Sequence, residues 1–183
     1  FIPSDMTNAK SPAWLNDLSN YHNLGDMNSC WGEGSCMVLG DFYGLDDIAT
    51  EKPVVYNGWA DVYGKWIKDY NLSGFRVDTA RHVDDNFFKN WSPQIDAAAK
   101  SVGIDNFTIF GEVWDVNPIN LMNYIRRNKI QTVLDFPFQR SAAEFASGYS
   151  DATTIENLFS YDDLYTTACL LYTSDAADEG LGV

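Results

Sequence analysis

The sequence predicts an α/β fold, a parallel sheet covered by helices. Three observations predict it. Short apolar runs that read as strands occur at 74–78, 107–112 and 132–136. Segments with apolar residues at helical spacing precede and separate them, at 54–70, 84–102 and 118–128. The strand ends follow one another by 34 and 24 residues, lengths suited to strand–helix–strand units, and such alternation implies parallel strands. Three strands do not close an eight-stranded barrel, which takes about 250 residues. The chain is therefore either a small open sheet or a piece of a barrel.

Each element has its own reason. The first 50 residues are rich in Asn, Asp, Ser and Gly, with scattered Trp and Tyr and no sustained periodicity. Irregular segments of that length inside a compact protein are usually functional. From Pro53 the pattern changes: Val55, Trp59, Val62, Tyr63, Trp66, Ile67 and Tyr70 fall on one helical period, although Gly58 and Gly64 weaken such a helix. The next helix opens on Asp84 and Asp85 and ends before Gly103. Pro118 suits the first turn of the one after. Pro137 stops the last strand. Residues 140–147 and 153–166 also read as helical.

Composition narrows the function classes. An apolar share of 45% with 15% aromatics is that of a globular chain, not a disordered one. A net charge of −14 argues against a nucleic-acid partner, because phosphate binding needs clustered Lys and Arg, and against an anionic membrane surface. No run approaches 18 apolar residues, so membrane insertion is not expected. No Gly-rich phosphate loop is present, which sets aside a nucleotide-binding version of a small open sheet. The N-terminus Phe1-Ile2-Pro3-Ser4 carries no signal peptide, removed or never included. Cys30 and Cys36 flank a short Gly-containing loop and are either a small disulfide or two free thiols; Cys169 has no obvious partner. Zinc is not expected, since no CxxC occurs and His22 stands eight residues before Cys30.

The residues with chemical potential stand at strand ends. Alternation along 74–78 puts Arg76 and Asp78 on one face, Phe75 and Val77 on the other. A cation beside Asp78 would keep that carboxylate ionised, and the C-terminal edge of a parallel sheet is where active sites are built. Asp78 then suits a nucleophile or metal ligand; the alternatives are a plain Arg–Asp pair or a helix cap. Glu112 ends the next strand close to Trp114, where partial desolvation would suit a general acid; the alternative is a surface Glu. Two carboxyls at neighbouring strand ends can sit about 5–5.5 Å apart, the separation that retaining glycosidases use.

These segments carry a resemblance. Gly74-Phe75-Arg76-Val77-Asp78-Thr79-Ala80-Arg81-His82-Val83 resembles the fourth-strand motif of the α-amylase family, glycoside hydrolase family 13. Phe110-Gly111-Glu112-Val113-Trp114 resembles its fifth-strand motif, and Leu134-Asp135-Phe136-Pro137 its sixth strand. Upstream, Asn16-Asp17, Tyr21-His22-Asn23 and residues 40–51 resemble the loop domain after the third strand in secreted bacterial members. The likeness covers about residues 10–165.

The resemblance implies a fragment of a (β/α)8 TIM barrel, the region of strands 4–6, preceded by an irregular loop domain. Residues 1–51 would be that loop domain, 52–168 the partial barrel, and 169–183 a non-native tail, similar to translated sequencing-adapter ends. It implies a retaining hydrolase of α-1,4 or α-1,6 bonds in starch- or glycogen-like glucans, exported from the cell, with Asp78 as nucleophile and Glu112 as general acid/base. Arg76 would orient and ionise Asp78. Arg81 and His82 would line the acceptor side, although the family often has Lys before the His. Trp114 would wall the sugar site or pack in the core. No metal ligand set is assigned, but in related enzymes the backbone carbonyl at the position of His82 binds calcium; otherwise His82 is a locally bonded helix-entry residue. Tyr21, His22 and Trp31 serve subsites or structure, and Leu24 stands where an Arg is common. The third catalytic Asp of the family, which follows a His, has no counterpart, since neither His22 nor His82 precedes an Asp. The chain alone is expected to be inactive, and a non-catalytic carbohydrate-binding or scaffolding relative is the alternative. The sequence leaves oligomeric state open.

Overall fold

The computed structural model describes residues 5–30 and 34–165. Trp31, the side chain of Cys30 and the segment 169–183 lie outside the described residues. In chain order the elements are α1 (Cys36–Leu39), α2 (Pro53–Tyr70), β1 (Gly74–Val77), α3 (Phe87–Lys100), β2 (Thr108–Gly111), α4 (Pro118–Arg126), β3 (Thr132–Val133), α5 (Phe136–Ala146) and α6 (Ala152–Phe159), with short 3-10 turns between some of them. Before α2 the described chain runs through 3-10 turns, α1 and isolated bridges, such as Tyr21 to Ile48. Cys36 is disulfide-bonded. Among the described residues no helix is long and apolar enough to cross a membrane.

The chain divides into two compact units that interleave along the sequence. One holds the described residues up to Ser73 together with Arg81–Phe107; the other holds Gly74–Ala80 and the described residues from Thr108 on. In the first, α2 packs on α3. Val55, Ala60 and Ile67 are buried on α2, and Phe87, Phe88, Trp91, Ile95 and Ala99 on α3. The two glycines that weaken α2 on propensity have packing reasons. A Cβ on Gly58 would overlap the indole of Trp14, and one on Gly64 would stand 3.3 Å from the Ala98 methyl. Trp14 then meets Trp59 edge-on, with ring centroids 5.4 Å apart. Asp84 does not begin α3. Its backbone N–H donates to Thr50 Oγ1 at 2.9 Å and its carboxylate accepts from the Asn86 N–H at 2.8 Å, so it closes a turn ahead of the helix.

The second unit contains the whole sheet. Its order is β1-β2-β3 and both pairings are parallel. Gly74 pairs with Thr108 and Val77 with Gly111; Phe110 pairs with Thr132 and Gly111 with Val133. Ile109, Val113, Leu121, Ile125, Ile130 and Val133 are buried in this unit. The strands need glycine where backbones come close. A Cβ on Gly74 would lie 2.6 Å from the Thr108 carbonyl oxygen, and one on Gly111 would overlap Ile130 Cδ1 and stand 2.9 Å from Ala80 Cβ. Beyond β3 the boundary falls earlier than the sequence predicts. Asp135 caps α5, accepting from the Phe138 N–H at 2.9 Å, and Pro137 sits in the first turn of the helix, where a missing N–H leaves no bond unmade. The final helix is also shorter than expected: α6 ends at Phe159 and a separate 3-10 turn, Asp162–Leu164, follows.

Gly111→Ala is expected to destabilise the fold by about 1–3 kcal/mol, the usual result of forcing a methyl into a filled space, read as a lower urea midpoint. A second expectation concerns pH. Burial raises the Asp135 carboxyl above its ordinary value, against the Phe138 hydrogen bond. Asp162 is raised too, by burial first and then by the charges of Asp135 and Asp163. A carboxyl raised in the folded state contributes stability that is full below its unfolded pKa and lost as pH rises through the folded one. Asp135→Asn keeps a cap acceptor and removes the charge. Its melting temperature should gain on wild type as pH goes from about 3 to 7.

Candidate active site

The site is built by the register of β1 and β2. Val77 pairs with Gly111, and the Glu112 N–H continues the ladder by donating to the Val77 carbonyl at 2.8 Å. Asp78 and Glu112 are therefore the next residues along on adjacent parallel strands. Both leave the sheet at its C-terminal edge. The alternation expected for β1 holds: Arg76 is exposed while Phe75 and Val77 are half-buried. After Asp78 the chain turns sharply. Thr79 has φ of 45°, a left-handed conformation that is costly for a β-branched residue, and it leads into the 3-10 turn Ala80–His82. Backbone strain of this kind concentrates at functional positions.

Arg76 joins the two carboxylates. Its Nη2 lies 3.5 Å from Asp78 Oδ1 and 3.0 Å from Glu112 Oε2. Asp78 is 71% exposed and Arg76 48%, so water screens that pair, whereas Glu112 at 27% is the more enclosed partner. The Asp78 carboxyl is held below the ordinary carboxylate value. The first cause is its hydrogen bond with the Glu112 carboxyl; desolvation opposes it, and the charge of Arg76 and the Thr79 N–H lower the carboxyl further. Sequence reasoning has Arg76 ionise Asp78; Arg76 acts in that direction, and the effect of Glu112 comes in addition.

Trp114, two residues beyond Glu112, is 67% exposed, and Val113 between them is fully buried. Of the two, Val113 is the core residue. Arg81 and His82 belong to the other unit. There the His82 ring stands edge-on to Phe42 at 5.0 Å, and burial holds it below its ordinary value, with the Arg81 charge adding and a hydrogen bond to the Met37 backbone opposing. Tyr21 and His22 have structural partners. The Tyr21 hydroxyl donates to the Leu15 carbonyl at 2.7 Å. The His22 ring lies between Asp47, through Nδ1, and Glu51, 3.2 Å from Nε2. Burial lifts Asp47 to about 6, with His22 acting against it. Leu24 is exposed. Among the described residues no group of three or more His, Cys, Asp or Glu could hold a metal.

Comparison with known proteins decides the family. The family model described as "Alpha amylase, catalytic domain" matches residues 26–174. The chain belongs to the alpha-amylase family. Over 166 residues, 91% of this chain, it is 40% identical to an alpha-amylase of Streptomyces lividans, and over 132 residues, 70% of this chain, 30% identical to one of Saccharomycopsis fibuligera. The crystal structure of an Anoxybacillus alpha-amylase superposes with a TM-score of 0.60 at 29% identity, covering 72% of this chain. The chain spans 18% and 22% of the length of those two sequence relatives and 28% of the Anoxybacillus chain. The α/β architecture with a parallel sheet is that of part of an alpha-amylase catalytic domain.

The electrostatics of the pair are testable without substrate. Glu112→Gln retains a donor for Asp78, whereas Glu112→Ala removes it. In a carbon-13 titration the Asp78 carboxyl should stay low in the first variant and rise toward its ordinary value in the second. Arg76→Met should raise it by less than Glu112→Ala.

Proposed function

We propose that this chain carries the nucleophile and the general acid/base of a retaining α-glucan hydrolase, acting on α-1,4 or α-1,6 bonds of starch- or glycogen-like substrates. The observation that carries the reading is the hydrogen-bonded Asp78–Glu112 pair bridged by Arg76 at adjacent parallel strand ends. In this reading β1, β2 and β3 are the fourth, fifth and sixth strands of a (β/α)8 barrel, whose active sites lie at that edge. The Asp78 carboxyl, held below its ordinary value, is the one that stays ionised, as a nucleophile must.

That arrangement fits double displacement. A glucan entering between the carboxyls would take the Glu112 proton on its glycosidic oxygen. Asp78 attacks the anomeric carbon as the bond to that oxygen breaks, leaving a glycosyl ester on Asp78. Glu112, now ionised, accepts a proton from water, whose oxygen attacks the anomeric carbon and releases Asp78. Arg76 holds both carboxylates in place through the cycle. Trp114 offers an exposed ring for the sugar on the leaving-group side, and Arg81 and His82 are read as acceptor-side residues. A polymeric substrate and a disulfide-bonded Cys36 support an extracellular location, because disulfides persist in oxidising compartments.

The family's third carboxylate follows a His, and in this chain His22 precedes Asn23 and His82 precedes Val83. The chain on its own should therefore give no turnover of soluble starch, measured as reducing ends released. In the full reading frame that carries it, Asp78→Asn should abolish hydrolysis and leave glucan binding intact. Glu112→Gln should cost about 10²–10⁴-fold, the usual share of general acid–base catalysis. Hydrolysis that survives Asp78→Asn would remove Asp78 as nucleophile. Glucan binding without turnover by the unmodified full protein would favour a non-catalytic relative.

A further inference from the structure

The segment after Glu112 is fixed at two points. Val113 is fully buried. Two residues on, Asp115 ties the chain to the start of α4: its Oδ1 accepts from the Asn117 N–H at 2.8 Å and its Oδ2 from the Asn120 side-chain amide at 2.9 Å. Asn117 in turn caps α4, accepting from the Ile119 N–H at 3.0 Å. Between these two anchors stands Trp114, 67% exposed. A large indole on an unrestrained loop lowers its free energy by collapsing onto nearby apolar surface, and Val116 and Ile119 are close by in sequence, 44% and 45% exposed. The fixed residues on both sides, Val113 and Asp115, limit where this one can go.

We propose that Asp115 is a positioning residue: through Asn117 and Asn120 it holds Trp114 in place beside Glu112 as a rigid wall for a pyranose ring. The sugar-wall part rests on the α-glucan reading above. The clamp does not. A ring held before substrate arrives loses little conformational freedom on binding, so the carboxylate contributes to affinity without touching the sugar.

The test uses the full chain and two readouts. The first needs no ligand. The chain has six tryptophans, so the Trp114 signal is taken as the difference between each protein and its Trp114→Phe counterpart, in fluorescence anisotropy and acrylamide quenching. Asp115→Ala should lower the Trp114 anisotropy and raise its quenching. The second readout is calorimetric binding of maltohexaose, which should weaken about tenfold in Asp115→Ala. Adding Trp114→Ala to Asp115→Ala should cost no more than Trp114→Ala alone, because the two act as one unit. Should Asp115→Ala fail to fold, Asn120→Ala breaks the same clamp from the helix side and is read in the same way. Unchanged Trp114 anisotropy in the clamp variants overturns the proposal, as does a binding loss that adds fully to that of Trp114→Ala. If Trp114 loosens in Asp115→Ala but the unmodified chain does not bind maltohexaose, the clamp stands and the sugar-wall role is overturned.

Discussion

Everything at the candidate site depends on one backbone register, the pairing of Val77 with Gly111 across β1 and β2. Parallel strands place consecutive pairs side by side, so this register puts Asp78 beside Glu112 as soon as the ladder runs out. A shift of one residue would turn Arg76 and Asp78 to the opposite face from Glu112, because side chains alternate along a strand. Two features fix the register. Gly74 and Gly111 stand at its two ends, where Thr108, Ile130 and Ala80 leave no room for a side chain. The Glu112 N–H then bonds to the Val77 carbonyl and carries the pairing one residue past the strand. The glycines are part of the site although neither has an atom that could do chemistry.

Much of this is legible in the sequence because it is local. Alternation along 74–78 places Arg76 and Asp78 on one face, the helical period from Val55 to Tyr70 matches α2, and Pro118 stands in the first turn of α4. What the sequence conceals involves partners distant along the chain or conformations its local rules do not favour. Asp78 and Glu112 stand on different strands, so local reading finds the effect of Arg76 on Asp78, two residues away, and misses that of Glu112. Thr79 at φ of 45° is contrary to propensity. Gly58 and Gly64 read as weak points in a helix because Trp14 and Ala98, which fill their places, are remote in sequence. The Asp135 cap uses a residue that strand patterning assigns to β3. There a proline that ends a strand serves equally well to begin a helix.

The three strand ends of the second unit show how surroundings separate residues of the same kind. Asp78, Glu112 and Asp135 each follow a parallel strand, and on sequence alone each is a carboxylate at the functional edge of a sheet. Asp78 is mostly exposed, shares a cation and a hydrogen bond with Glu112, and is held below its ordinary value. Asp135 is half-buried, gives its acceptor to the Phe138 N–H and is pushed above its ordinary value. An ionised carboxylate with solvent access is open to a ligand arriving from water. A half-buried one that caps a helix gives up that cap if it moves. The difference lies in what each carboxylate already binds: Asp135 is taken up by the start of α5, whereas Asp78 and Glu112 share Arg76 at the sheet edge.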